Sequence, residues 1–141
     1  MTDRKRFLIT GGAGFIGSNS ARRLASLGHD VVIFDNLSRR AAPFNRDWLA
    51  RVAPSVRFVA GDVRSASDLA GALSEPLDAV IHLAGQVAVT TSIIDPAADW
   101  EANAVGTFRL LEAMRARWGK DPAKAPLLIY ASTNKVYGHI S

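Results

Sequence analysis

The chain of 141 residues has no cysteine, which excludes a disulfide framework, thiolate metal sites and a cysteine nucleophile. No apolar run approaches the roughly 20 residues of a membrane span. No signal peptide is legible either, because Met1-Thr2-Asp3-Arg4-Lys5-Arg6 leads straight into the first apolar stretch. Low-complexity tracts, internal repeats and linkers are lacking. With 48% apolar residues, residues 1–141 are expected to form one globular domain, located in the cytoplasm, with no membrane partner. The net charge of +4 raises the question of nucleic acid. The basic residues form no single block: Arg39, Arg40, Arg46 and Arg51 fall in and after a loop, and Arg115, Arg117, Lys120 and Lys124 end and follow a helix. The three tryptophans are scattered, so no nucleic-acid partner is expected. No residue is assigned to a metal.

What the chain does have is a glycine cluster at a change of periodicity. The apolar run ending at Thr10 gives way to Gly11-Gly12-Ala13-Gly14-Phe15-Ile16-Gly17, and helical spacing follows through Phe15, Ile16, Ala21, Leu24 and Leu27. A strand that turns into a helix around a phosphate needs this pattern. Gly11 permits the tight turn, Gly14 lets backbone N–H groups approach a pyrophosphate, and Gly17 allows close packing at the helix start, whose dipole favours an anion. Asp35 closes the next apolar run, Val31-Val32-Ile33-Phe34. Its spacing from Gly17 suits a carboxylate that takes the ribose hydroxyls of a dinucleotide, about 20 residues on.

Five continuous apolar runs read as parallel strands buried on both faces: 6–10, 31–34, 56–60, 79–83 and 127–131. Helices are expected over 14–27, stopping at Gly28, over 44–52, near 67–73, and from the Asp95-Pro96 cap to Gly119. The last would carry Trp100, Ala104, Phe108, Leu111 and Trp118 down one face. This alternation means a doubly wound α/β fold of Rossmann type with strand order 3-2-1-4-5, the crevice at the carboxyl ends of strands 1 and 4, and no later strands or substrate domain.

Other residues fall at the crevice edge. Asp62 ends the third strand, where a carboxylate can accept from an adenine amino group or act as a turn or N-cap aspartate. His82-Leu83-Ala84-Gly85-Gln86 ends the fourth, with small residues that let a cofactor lie against the backbone. His82 itself reads as a core or edge histidine, His29 as a turn residue and His139 as a tail residue. The hydroxyls of Ser132-Thr133-Asn134-Lys135-Val136-Tyr137-Gly138, after the fifth strand, suit a substrate oxygen moving between alcohol and ketone, or a merely polar loop.

With these segments in place, the chain resembles the extended short-chain dehydrogenase/reductase family, the NAD-dependent nucleotide-sugar epimerases and dehydratases. The likeness rests on residues 10–17, Asp35-Asn36-Leu37-Ser38, Gly61-Asp62-Val63, His82-Leu83-Ala84-Gly85, Asn103-Ala104-Val105-Gly106-Thr107 and Val136-Tyr137-Gly138. It implies a tightly held NAD, contacted by Gly11, Gly14, Phe15, Ile16, Gly17, Asp35, Asn36, Ser38, Arg39, Asp62, Val63, Leu83, Ala84, Gly85, Gln86 and Asn103. It implies transient oxidation of a sugar carbon, with Thr133 bonding the reacting oxygen. Residues 34–39, 85–92 and 132–138 lean, within the family, toward 2-epimerisation of a CDP-sugar. A 4-epimerase, a 4,6-dehydratase and a non-catalytic NAD-binding module stand as alternatives. The family's catalytic Tyr-x-x-x-Lys is absent: Tyr130 is followed at that distance by Asn134, and Tyr137 by Ser141. The chain therefore reads as the cofactor-binding part of a longer epimerase. The helix over 95–118 commonly lies in a dimer interface in this family, which implies a homo-oligomer, although covering the sheet accounts for most of its apolar stripe.

Overall fold

In the computed structural model, which describes residues 3–133, five parallel strands form one sheet in the order β3-β2-β1-β4-β5. They are β1 (Arg6–Thr10), β2 (Asp30–Asp35), β3 (Arg57–Ala60), β4 (Ala79–His82) and β5 (Leu127–Tyr130). β1 is central. Phe7 pairs with Val31 on one side and Ala79 on the other, and Thr10 pairs with Phe34 and His82. Every strand appears where the apolar runs place it, with ends moved by a residue. The expected order of strands is observed.

Alternate side chains of the central strands feed two cores. Leu8, Val32, Phe34 and Val80 meet Leu69 of α3 (Ala66–Ala72) and Leu110 of α6 (Gly106–Trp118). Ile9, Val31 and Ile33 meet Ala21 of α1 (Phe15–Ser26) and Leu49 of α2 (Ala42–Val52). A sheet covered on both faces explains why its strands read as unbroken apolar runs.

Two helix faces differ from expectation. Phe15 and Ile16 of α1 are 82% and 64% exposed, while Gly17, Ser18 and Ala21 are buried. The small residues win because α1 sits very close to the glycine turn: a Cβ on Gly17 would lie 2.7 Å from Gly12 Cα. The long helix is also not uniform. α5 (Pro96–Trp100) passes into one wide π turn, Glu101–Val105, and then into α6. The wide turn shifts the angular register. α6 therefore packs through Gly106, Leu110 and Trp118, and its Phe108 and Leu111 are exposed, as is Trp100 of α5. Those three do not cover the sheet. A short helix, α4 (Val89–Ile94), precedes Asp95 and was not foreseen. Asp95 does cap α5, accepting from Ala98 N at 3.0 Å.

Candidate dinucleotide-binding site

The crevice is built from the carboxyl ends of β1, β2 and β4. Gly11 has φ +67°, and a Cβ there would lie 2.7 Å from Ala84 N and 2.8 Å from the Leu83 carbonyl carbon. Only glycine permits both the left-handed turn and the approach of the β4 loop. Gly11 N donates to Phe34 O at 2.8 Å, Gly14 N to Gly11 O at 3.0 Å and Asn45 Nδ2 of α2 to Ala13 O at 2.8 Å. The turn is thereby tied to β2 and α2.

Past this turn, α1 follows Gly14 as its N-cap residue, with no side-chain cap and no acidic residue in its first turn. Ser18 is the first residue to close a helical bond, to Gly14 O at 3.0 Å. The N–H groups of Phe15, Ile16 and Gly17 are left for an external acceptor, at the positive end of the helix dipole. A Cβ on Gly14 would meet only Gly11 O, at 3.1 Å, so its outer side is open. The cradle fits a pyrophosphate.

Asp35 faces it from β2. Its carboxylate accepts from Ala13 N at 3.0 Å on one oxygen and Leu37 N at 2.8 Å on the other. Each oxygen keeps room for a further donor. Leu37 takes φ +56° at this corner, and Ser38 N bonds Asn36 Oδ1 at 3.0 Å. Arg39 reaches across to the β4 loop, donating from Nη2 to Gln86 Oε1 at 2.7 Å.

Asp62 is more heavily engaged than its sequence position reveals. Its Oδ1 accepts from Arg64 N at 2.8 Å and Arg64 Nε at 3.0 Å. Its Oδ2 accepts from Arg64 Nη2 at 2.7 Å and Asn36 Nδ2 at 2.9 Å. The turn-aspartate alternative is thus realised at Oδ1, while Ser65 is the residue that caps α3. The Arg64 guanidinium, with the Arg64 N–H and Asn36, holds the Asp62 carboxyl well below the usual carboxylate range. Val63 is buried behind it, against Gly106. Arg64 was missed from sequence; its signal was the two-residue offset from Asp62, the spacing of an aspartate turn.

On the opposite wall, Asn103 in the wide turn grips Gln86 in both directions, accepting from Gln86 N at 2.8 Å and donating to Gln86 O at 3.0 Å. Gly85 fits beneath it; a Cβ would stand 2.7 Å from Asn103 Oδ1. His82 is 1% exposed and bonded to Thr10 and Thr107, a core histidine as expected. His29 precedes β2 and its Nδ1 accepts from Lys5 N at 3.3 Å. Thr133 follows β5 and is exposed. Asn134, Lys135, Val136, Tyr137, Gly138 and His139 lie outside the described residues, as do Met1 and Thr2.

A doubly wound parallel sheet with an uncapped helix over a glycine turn, answered by a carboxylate on the next strand, defines a dinucleotide-binding α/β protein. The family model described as "NAD dependent epimerase/dehydratase family" matches residues 7–141, and the chain belongs to that family. It is 46% identical over 136 residues to CDP-paratose 2-epimerase of Salmonella typhi, covering 96% of this chain and 38% of that protein. It is 36% identical over 137 residues to UDP-glucose 4-epimerase of Klebsiella pneumoniae, covering 94% and 92%. Among solved structures, UDP-glucose-4-epimerase from Stenotrophomonas maltophila, with bound NAD and formylated UDP-arabinopyranose, superposes with a TM-score of 0.82 at 32% identity, covering 96% of this chain and 39% of that one. No helix among the described residues is long and apolar enough to cross a membrane.

Proposed function

We propose that this chain supplies the NAD-binding part of a nucleotide-sugar epimerase, with a CDP-sugar as substrate and C2 as the carbon inverted. The observation that carries the cofactor reading is the open first turn of α1 over the Gly11–Gly14 turn, faced by Asp35 with acceptor capacity to spare. The likeness to CDP-paratose 2-epimerase supports the sugar and the carbon. A 4-epimerase or a 4,6-dehydratase is the second reading, favoured by the family's breadth.

In this reading the N–H groups of Phe15, Ile16 and Gly17 hold the pyrophosphate. Asp35 and Asn36 hold the adenosine ribose, with Ser38 and Arg39 beside them. Asp62 and Val63 flank the adenine, and Asp62 must exchange one of its present donors for the amino group. Leu83, Ala84, Gly85, Gln86 and Asn103 form the opposite wall. Bound NAD supplies a reversible hydride acceptor at the sugar carbon. Thr133 donates to the reacting sugar oxygen, and the proton-transfer Tyr-x-x-x-Lys pair, absent from these 141 residues, has to come from elsewhere in the protein. Residues 1–141 by themselves are therefore expected to show no turnover of CDP-sugars.

Three results test this. Gly14→Val should lose NAD binding by calorimetry, more than about 100-fold, while urea unfolding shows the chain still folded with only a modest loss of stability, since Gly11 O, at 3.1 Å, is the one atom that crowds a Cβ there. Equal affinity in the variant sinks the placement. NAD should bind at least about tenfold more tightly than NADP, because Asp35 repels a 2′-phosphate and Arg39 is occupied with Gln86; parity at physiological salt contradicts it. In a protein that carries the Tyr-x-x-x-Lys pair, Thr133→Ala should lower kcat about 100-fold, the usual scale for one lost donor, with NAD affinity unchanged. An unaltered kcat removes Thr133 from the chemistry.

A further inference from the structure

Five hydrogen bonds run from one wall of the crevice to the other through a single buried ring. Thr10 and His82 end adjacent strands in register, and both are fully buried. Ala84 N donates to Thr10 Oγ1 at 3.3 Å, and Thr10 Oγ1 lies 2.6 Å from His82 Nδ1. On the other side, His82 Nε2 lies 3.0 Å from Thr107 Oγ1, and Thr107 Oγ1 donates to Asn103 O at 2.7 Å. Asn103 then grips Gln86 N.

Donor capacity fixes every direction in this chain. Thr107 has one hydroxyl proton, spent on the Asn103 carbonyl, so its oxygen accepts and His82 Nε2 must carry the hydrogen. Nδ1 of the neutral ring then accepts, and Thr10 is its donor. The Thr10 oxygen is left to accept from Ala84 N–H. One tautomer satisfies all members; the other would draw the Thr107 proton away from the Asn103 carbonyl and leave the Thr10 proton without an acceptor in this chain of bonds.

We propose that His82, as the neutral Nε2–H tautomer, is a positioning residue that acts through Thr10 and Thr107 to hold the backbone of Ala84 and Gln86 in the geometry that receives NAD. The inference rests on the NAD reading above. The hydrogen bonds of the His82 ring go to Thr10 and Thr107, not to the proposed cofactor contacts themselves. It acts on Ala84 through Thr10, and on Gln86 through Thr107 and Asn103. Tyr130 of β5 stacks on the same ring, with centroids 5.7 Å apart.

The test uses this chain in three measurements. Nitrogen NMR of the His82 ring should show a protonated Nε2 and an unprotonated Nδ1 without NAD. Thr107→Val keeps the shape but removes the acceptor; it should weaken NAD binding about tenfold and speed amide exchange at Gln86. Thr107→Ser, which restores the hydroxyl, should bring affinity back to within about twofold. A protonated Nδ1, or a folded Thr107→Val chain that binds NAD as the parent does, overturns the proposal. So does a Thr107→Ser chain no better than Thr107→Val. A parent chain that binds no NAD overturns both this proposal and the reading it rests on. Normal binding by the parent with an unaffected Thr107→Val overturns this one alone.

Discussion

Gly11→Ala should lower the stability of the chain by about 3 kcal/mol, seen as a fall in the urea midpoint with an unchanged slope. Two costs add. An L-residue held at positive φ costs about 1–2 kcal/mol, and Gly11 sits at +67°. The new methyl would also stand within 2.9 Å of three backbone atoms of Leu83 and Ala84, an overpacking cost of about 1–3 kcal/mol. These are backbone atoms of a part-buried loop, so no side chain can swing aside. Gly28 supplies the control. It has φ +87° with nothing within 4 Å of its Cβ position, so Gly28→Ala should cost about 1 kcal/mol from backbone strain alone. If the two substitutions cost the same, the close approach of the β4 loop to the glycine turn is not what demands Gly11.

The second large effect is acid sensitivity above the carboxylate range. Burial pushes the His82 pKa down to about 4, from an ordinary 6.5. Between those values the unfolded chain binds a proton that the folded chain refuses, so stability rises with pH across that window. The contribution is complete above about pH 6.5 and is lost as pH falls toward 4. The loss is on the order of 3 kcal/mol. The arginine-paired carboxylates Asp62 and Glu75 have pKa values lowered by their partners, so their losses come at lower pH. Urea midpoints measured from about pH 7 to about pH 4.5 should therefore decline in the parent and stay nearly level in His82→Gln. A decline of the same size in the variant would assign the effect to other groups.

Much of the fold was legible because its physics is local. A parallel strand buried on both faces has to be apolar throughout, and the five strands were found from that alone. The glycine turn and Asp35 were equally plain, since both sit at fixed offsets along one βαβ unit. The helix faces were not. Large side chains at helical spacing suggested that Phe15, Ile16, Phe108 and Leu111 point inward, yet α1 buries Gly17, Ser18 and Ala21, and α6 packs through Gly106, Leu110 and Trp118. Apolar periodicity cannot distinguish a face that needs bulk from one that needs proximity. α4 escaped for a related reason: Val89, Ile93 and Ile94 are exposed, so no buried stripe marks it. The ring of bonds around His82 joins residues 10, 82, 103 and 107, three of them far from the first along the chain. The parallel pairing of β1 with β4 joins residues 10 and 82, and the packing of α6 and the wide turn before it against the end of β4 brings in the other two.

The strands all run one way, so the sheet has two chemically different poles. At the carboxyl pole lie the glycine turn, Asp35 and the grip of Asn103. At the amino pole, Arg6, Asp30, Arg57 and Asp78 stand at or beside the strand starts, and Arg6 and Arg57 share Glu75, with Arg6–Glu75 at 3.0 Å and Arg57–Glu75 at 2.9 Å. Arg4 joins through Asp30 and Lys5 through Asp78. Added salt screens such exposed pairs. That loosening is felt a full strand length from the cradle, so variants that rebalance the amino-pole charges can tune solubility and thermal tolerance without entering the electrostatic field in which an anionic ligand is held.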